Sequence, residues 1–279
     1  MSKLISNCEA LNKTLDGRKL SKDDAYQIYQ ESQKNPSELF QTAKILRNRY
    51  KGKTVTYSRK VFFNLVNLCR DTCSYCTYKS ELGQSKLSLM SKQDVYKLAK
   101  LGKMHRCTEA LFVTGERPEQ KYQEARMWLK ENGFESTAEY LVHSSEIALQ
   151  EGLFPHTNAG NLTKSEMNEL KKTNVSLGLM LENSSERLME EGMPHQFAPS
   201  KNPKARLQVL ENAGELRIPM TTGILIGIGE TIFEIIDSIY AIKQIHEKFG
   251  HIQEIILQNF HPKLDTSMRN FPSTEEIYF

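Results

Sequence analysis

The chain has 279 residues, 39% of them hydrophobic and 25% charged, with a formal net charge of +3. This length suits one large barrel or two ordinary domains, and the composition is that of a soluble globular protein. The charge is too small to suggest nucleic acid, no apolar run is long enough to span a bilayer, and Met1-Ser2-Lys3-Leu4-Ile5-Ser6 lacks a signal-peptide core.

Five cysteines, three of them clustered, do not make a disulfide framework. A reducing cytoplasm is the expected setting. The Asn-x-Ser/Thr triplets at Asn12, Asn161, Asn174 and Asn183 are then without meaning as glycan sites. Cys8 and Cys107, outside the cluster, read as small, partly buried thiols.

Residues 1–50 read as a helical extension. Ser21 with Asp24 forms a capping box opening a helix from Asp23 to Gln33, and a second helix runs from Ser37 toward Arg49. Residues 51–279 read as one domain, with no low-complexity linker inside it. Here short apolar runs alternate with longer amphipathic ones. The strand candidates are Val61–Leu68, Ala110–Thr114, Phe154–Asn158, Val175–Leu181, Thr221–Gly227 and Ile252–Gln258. Helices are expected from Ser91 to Leu101, Gln120 to Asn132, Ser144 to Gln150, Thr163 to Lys172, Pro203 to Ala213 and Thr231 to Phe249. Ser91 with Asp94 and Thr163 with Glu166 are further capping boxes.

Strands alternating with helices argue for a parallel sheet. The distinctive residues fall at the carboxyl ends of the strands, where both (β/α)8 barrels and doubly wound sheets place their chemistry. The alternation alone does not choose between those two. Ser273 with Glu276 reads as a capping box opening a helix just before the chain stops. Six strand–helix units, against eight in a closed barrel, lead to the expectation of a barrel incomplete at its C-terminus.

The most specific feature follows the first strand. In Cys69-Arg70-Asp71-Thr72-Cys73-Ser74-Tyr75-Cys76 three thiols lie within eight residues. Such spacing can hold three irons of a 4Fe–4S cluster and leave the fourth iron open to a small molecule. The same thiols can also serve a structural zinc ion, which needs a fourth ligand from Cys107 or a histidine. None of those stands at a short, finger-like spacing.

Glu116 follows the second strand in Leu111-Phe112-Val113-Thr114-Gly115-Glu116. Gly115 lets a ligand approach the backbone, and the carboxylate can pair with an ammonium group. Glu182 ends the fourth strand. It reads equally as a ligand for sugar hydroxyls and as a carboxylate complementing a helix N-terminus. Arg187 can pair with a carboxylate, of a ligand or of a neighbour. Gly223-Ile224-Leu225-Ile226-Gly227-Ile228-Gly229-Glu230 lacks the third glycine and downstream acid of a dinucleotide fingerprint. It reads as a buried strand whose end, at Gly227, admits a flat base. Asn158, Gln258, Asn259 and His261 stand at strand ends within reach of a polar substrate.

The cysteine loop, with Tyr75 before its last cysteine, closely resembles that of the radical S-adenosylmethionine (SAM) enzymes. Gly115-Glu116 resembles their Gly-Gly-Glu-type motif, with Thr114 in place of the first glycine. Further segments point to one family. These are Leu181-Glu182-Asn183-Ser184-Ser185-Glu186-Arg187-Leu188, Gly192-Met193-Pro194-His195, Ala213-Gly214, Thr221 through Thr231, and Gly250-His251-Ile252-Gln253-Glu254. They resemble the CofG-type subunit of FO synthase.

The resemblance covers roughly residues 57–270 and implies an α/β fold, a radical SAM (β/α) barrel of TIM-barrel type with about six units present. It implies a 4Fe–4S cluster on Cys69, Cys73 and Cys76, with the fourth iron open to SAM. It implies SAM contacts from Gly115, Glu116, Glu182, Arg187 and Gly227. The activity it implies is a radical ring closure of 5-amino-5-(4-hydroxybenzyl)-6-(D-ribitylimino)-5,6-dihydrouracil. Ammonia is lost and 7,8-didemethyl-8-hydroxy-5-deazariboflavin is formed. The implied partners are this small-molecule substrate, a companion subunit, and a reduced donor such as ferredoxin or flavodoxin. The nearest rivals are the companion subunit itself and biotin-synthase-like or tyrosine-lyase-like relatives. A zinc-stabilised binding protein is the rival from another class.

Overall fold

The computed structural model describes residues 6–278. It divides into two compact units, Met1–Tyr57 and Ser58–Phe279. The expected helical extension over 1–50 begins in residues 1–5, which lie outside the described residues, as does Phe279.

The first unit holds helices α1 (Glu9–Leu15), α2 (Lys22–Lys34) and α3 (Ser37–Lys51). The Ser21–Asp24 capping box forms in both directions, and the Asp24 carboxylate also binds Lys13 at 2.7 Å. Cys8, Ala10 and Leu11 are buried against Leu20, Ile28 and Leu39. Gly52, at φ 71°, ends α3 in a left-handed conformation that a side chain would strain.

The second unit is a six-stranded parallel sheet of β1 (Lys60–Val66), β2 (Glu109–Thr114), β3 (Phe154–Asn158), β4 (Ser176–Gly178), β5 (Met220–Ile226) and β6 (Ile252–Asn259). The strands lie side by side in chain order. A doubly wound sheet reverses its order at a switch point, so this order selects the barrel type. Between the strands come α4 (Lys92–Met104), α5 (Pro118–Lys121), α6 (Gln123–Glu131), α7 (Thr137–Gln150), α8 (Lys164–Leu170), α9 (Pro203–Glu215) and α10 (Ile232–Phe249). The short α11 (Thr274–Tyr278) follows β6.

Right-handed crossovers in one direction place all these helices on one face. That face carries the register row Phe63, Phe112, Thr157 and Leu177, all buried. Phe63 and Phe112 stack at 4.5 Å. The alternate row points to the inner face: Phe62, Leu111, His156 and Ser176 in one layer, with Asn64, Val113 and Asn158 in the next. Among the described residues β1 and β6 are the edges.

Three elements differ from the sequence reading. The helix expected from Gln120 to Asn132 breaks at Tyr122, whose backbone is extended. Its phenol turns inward to Glu81 at 2.7 Å and the Cys69 carbonyl at 3.3 Å. Helix α7 begins seven residues before Ser144, because the Ser136 hydroxyl caps it through the Glu139 amide. The strand expected over Val175–Leu181 is reduced to Ser176–Gly178, and Glu182 adopts φ 64°. Among the described residues no helix is long and apolar enough to cross a membrane.

Candidate functional site

The first strand delivers the cysteine loop to the carboxyl rim of the sheet. Val66 pairs with Thr114, so the chain leaving β1 runs beside Gly115-Glu116 leaving β2. The Gly115 amide donates to the Val66 carbonyl at 2.7 Å, and the Arg70 amide to the Glu116 carbonyl at 2.8 Å. A Cβ built on Gly115 would lie 2.0 Å from the Leu68 carbonyl oxygen and 2.8 Å from Cys69 Cβ. Glycine at 115 is therefore required by the approach of the cysteine loop itself. The Glu116 amide donates to Cys69 Sγ at 3.2 Å.

The loop is pinned from its other side by residues 194–200. The Thr72 amide donates to the Phe197 carbonyl at 2.8 Å, and the Ser74 amide to the Pro194 carbonyl at 3.0 Å. Both the amide and the hydroxyl of Ser200 donate to the buried Asp71 carboxylate. The Tyr75 hydroxyl lies 2.8 Å from His195 Nε2, and the two rings meet edge to face. None of these partners was read from the sequence, although Gly192-Met193-Pro194-His195 was noted as a family segment.

Cys69, Cys73 and Cys76 are free, half-buried thiols. Burial raises the Cys69 thiol, and it pushes Cys73 up to about 12; the charge of Cys76 adds to both shifts. Among the described residues no three Cys, His, Asp or Glu side chains converge to hold one metal ion. A zinc site needs four donors within about 2.0–2.3 Å of a single point. A cubane is instead held by thiolates on separate irons, and three cysteines on one loop are the donor type it takes.

The Glu116 side chain is buried. Its Oε2 accepts from the Asn161 amide at 2.9 Å, while Oε1 is sealed in without a hydrogen bond. Arg117 Nε is 3.9 Å from that oxygen, and the Arg117 guanidinium is spent on Glu166 and the Asn161 carbonyl at 2.7–2.9 Å. Glu116 Oε1 is an acceptor still needing a donor, which fits the ammonium of an amino-acid ligand.

Glu182 closes the site from the fourth strand. Its carboxylate is buried and bound to Lys201 Nζ at 2.5 Å. Burial alone would raise its pKa, but Lys201 and Arg206 hold it below the usual carboxylate value. The Lys201 ammonium also stands 5.9 Å over the Tyr75 ring. Burial lowers His195 to about 3, so the Tyr75 partner is a neutral imidazole.

Cys69, Cys73, Cys76, Gly115, Glu116 and Glu182 therefore gather at one rim. Arg187 and Gly227 are engaged by other partners. The Arg187 guanidinium binds Glu234 through Nε and Nη2 at 2.9 and 2.6 Å and the Gly229 carbonyl at 2.7 Å. It lines an open cleft of about 520 Å³ with Ser74, Met193, Gly229, Met268 and Phe271. Gly227 has φ 94°, and the position of its missing Cβ lies 2.4 Å from Thr274 Oγ1. Asn158 is half-buried on the inner face, while Gln258, Asn259 and His261 are exposed.

A chain-order parallel sheet with three cysteines at its carboxyl rim defines a class, and the comparisons agree with it. Residues 63–240 match the Radical SAM superfamily. The chain is 47% identical over 219 residues to 7,8-didemethyl-8-hydroxy-5-deazariboflavin synthase of Methanopyrus kandleri, covering 78% of this chain and 66% of that one. It is 41% identical over 262 residues to the synthase of the same name from Methanococcus vannielii, covering 93% and 72%. The X-ray structure of the FeFe-hydrogenase maturase HydG from Carboxydothermus hydrogenoformans shares the fold. The TM-score is 0.74 at 24% identity, over 93% of this chain and 57% of that one. The chain belongs to the radical SAM superfamily and, within it, to the family of these deazaflavin synthases. It spans about two thirds of the length of these synthases and 26% of the FO synthase of Mycobacterium tuberculosis, to which it is 45% identical over 224 residues.

Proposed function

We propose that the chain forms 7,8-didemethyl-8-hydroxy-5-deazariboflavin from 5-amino-5-(4-hydroxybenzyl)-6-(D-ribitylimino)-5,6-dihydrouracil, with loss of ammonia. The observation that carries this is the junction of the Cys69 loop and Glu116 at one sheet rim, in a chain 41% identical to a named synthase over 93% of its length.

When bound, the cluster and SAM supply a carbon-centred radical that takes a hydrogen atom from the substrate. The chain's own residues do the rest. Cys69, Cys73 and Cys76 would hold the cluster, and the Glu116 amide, donating to the Cys69 sulfur, would withdraw charge from it. The Glu116 carboxylate, short of one donor, would turn toward the rim to accept from the ammonium of SAM. Glu182, kept ionised by Lys201, accepts from ribose hydroxyls. Gly115 keeps the two loops in contact. Arg187, held by Glu234, and Gly227, packed on Thr274, shape the outer rim of the SAM site. The buried His195 fixes the Tyr75 hydroxyl beside the loop. A companion subunit supplying the substrate, a reduced ferredoxin- or flavodoxin-like donor and a cytoplasmic setting complete the proposal.

The test is an anaerobic incubation with SAM, a strong reductant and the aminohydroxybenzyl-uracil substrate. 5′-Deoxyadenosine and the fluorescent deazaflavin are read in one chromatogram. Both products are expected. Deoxyadenosine without deazaflavin would overturn the substrate assignment, and neither product from a folded, iron-loaded chain would overturn the activity.

A further inference from the structure

The inner face of the sheet carries a histidine that the site described above does not use. His156 sits in the middle of β3, 7% exposed, in the layer of Leu111 and Ser176. Its Nδ1 lies 2.6 Å from Ser176 Oγ. Its Nε2 makes no hydrogen bond among the described residues, and it is not one of the sealed, unpartnered atoms of the interior. The ring is thus fixed at one nitrogen and open at the other.

The Nε2 edge of the ring packs over Gly178 on the neighbouring strand. A Cβ there would lie 2.8 Å from Nε2 and 3.5 Å from Asn158 Cβ. Gly178 has no unusual φ, and its lack of a side chain makes room for the imidazole. The polar groups nearby on this face are Asn158, Thr221 and Glu254. Gly178 pairs with Thr221, and Thr221 with Glu254.

We infer that His156 Nε2, on the inner face of the sheet, binds a hydroxyl of the substrate's polyhydroxylated side chain. The inference rests on the proposed deazaflavin synthesis and adds to it the seat of one part of the substrate. Position gives the first argument. The radical is generated at the rim, so the reacting rings must face the cysteines. Leu111, level with His156, stands three residues before Thr114, about 10 Å below that rim. The non-reacting chain is the part that reaches this depth, and remote contacts of this kind hold the reacting centre in place.

Chemistry gives the second argument. If Ser176 donates to Nδ1, Nε2 carries the proton and donates. If Nδ1 donates to Ser176, Nε2 accepts. A hydroxyl satisfies either tautomer, whereas a carbonyl satisfies only one. A carboxylate such as Glu254 and a side-chain amide such as Asn158 are further partners for a row of hydroxyls. Burial lowers His156 below its usual value, which keeps the imidazole neutral and both tautomers available.

The test uses two fluorescent ligands on the anaerobic, iron-loaded chain: the ribityl deazaflavin and the same ring system with N-methyl in place of ribityl. In the native protein the ribityl ligand is expected to bind at least about tenfold more tightly. His156→Phe, His156→Gln and Gly178→Ala are each expected to remove about tenfold from the ribityl ligand alone. Melting and iron content identify variants that remain folded. Equal affinity for the two ligands in the native protein overturns the inference, as does equal weakening of both by folded His156 variants. Failure of the native protein to bind either ligand or to form deazaflavin overturns the proposed function, a distinct outcome.

Discussion

The Glu116 amide donates to the Cys69 sulfur across 3.2 Å. This bond joins the ends of two adjacent strands, and it exists because Gly115 has no side chain to hold the loops apart. Gly115→Ala would drive a Cβ to 2.0 Å from the Leu68 carbonyl oxygen. One strand end must move. A displacement of about 1 Å at a reacting centre costs about a hundredfold in rate. A loss of that order in 5′-deoxyadenosine formation is expected, with reduced iron content. An alanine variant with native iron and native rate would show that the contact does not matter.

Single replacements Cys69→Ser, Cys73→Ser and Cys76→Ser are expected to abolish both the visible absorption of the reconstituted protein and the release of deoxyadenosine. Replacement of Cys107, which lies outside the loop, is expected to leave both intact. Retention of absorption and turnover by Cys73→Ser would contradict the three-ligand assignment.

Lys201 and Glu182 form a buried pair at 2.5 Å. Removing the Lys201 cation leaves the buried carboxylate with only the Arg206 charge to offset its burial. Lys201→Met is expected to destabilise the unit by about 3–5 kcal/mol, read by denaturant unfolding. The double variant Lys201→Met with Glu182→Gln is expected to recover part of that loss. A Lys201 variant as stable as the native protein would refute the pairing.

Arg187 holds the Glu234 carboxyl at about 2, against a usual 4.5. A depressed folded value means that the pair stabilises the fold fully above pH 4.5. That contribution shrinks as pH falls toward 2. The stability difference between native protein and Glu234→Gln is therefore expected to be constant near neutrality and to vanish on acidification through this window. A difference that does not change between pH 6 and pH 3, in a chain still folded there, would be the contrary result.

Local chemistry made much of this structure legible. The Ser21–Asp24, Ser91–Asp94, Thr163–Glu166 and Ser273–Glu276 boxes each form, because a hydroxyl and a carboxylate three residues apart meet in any helical first turn. The cysteine spacing located the loop, and the apolar runs located the strands. The partners of that loop were not legible. Tyr75 and His195 lie 120 residues apart, and no short-range pattern reports such a contact. The ion pair of Glu182 depends on its left-handed φ of 64°, four residues after β4 ends at Gly178. The apolar sequence through Leu181 reads instead as a continuing strand. Arg187 and Gly227 carry motif positions, yet the side chains that occupy them, Glu234 and Thr274, come from segments whose approach only the fold defines.

The central claim is that three cysteines of this chain hold a cluster whose remaining iron takes SAM. Iron and sulfide analysis of the anaerobic protein, with electron paramagnetic resonance of its reduced form before and after SAM, addresses it directly. About four irons and four sulfides per chain are predicted, with a reduced-cluster signal that changes on adding SAM. A colourless protein carrying one zinc, or a cluster signal indifferent to SAM, would contradict the account.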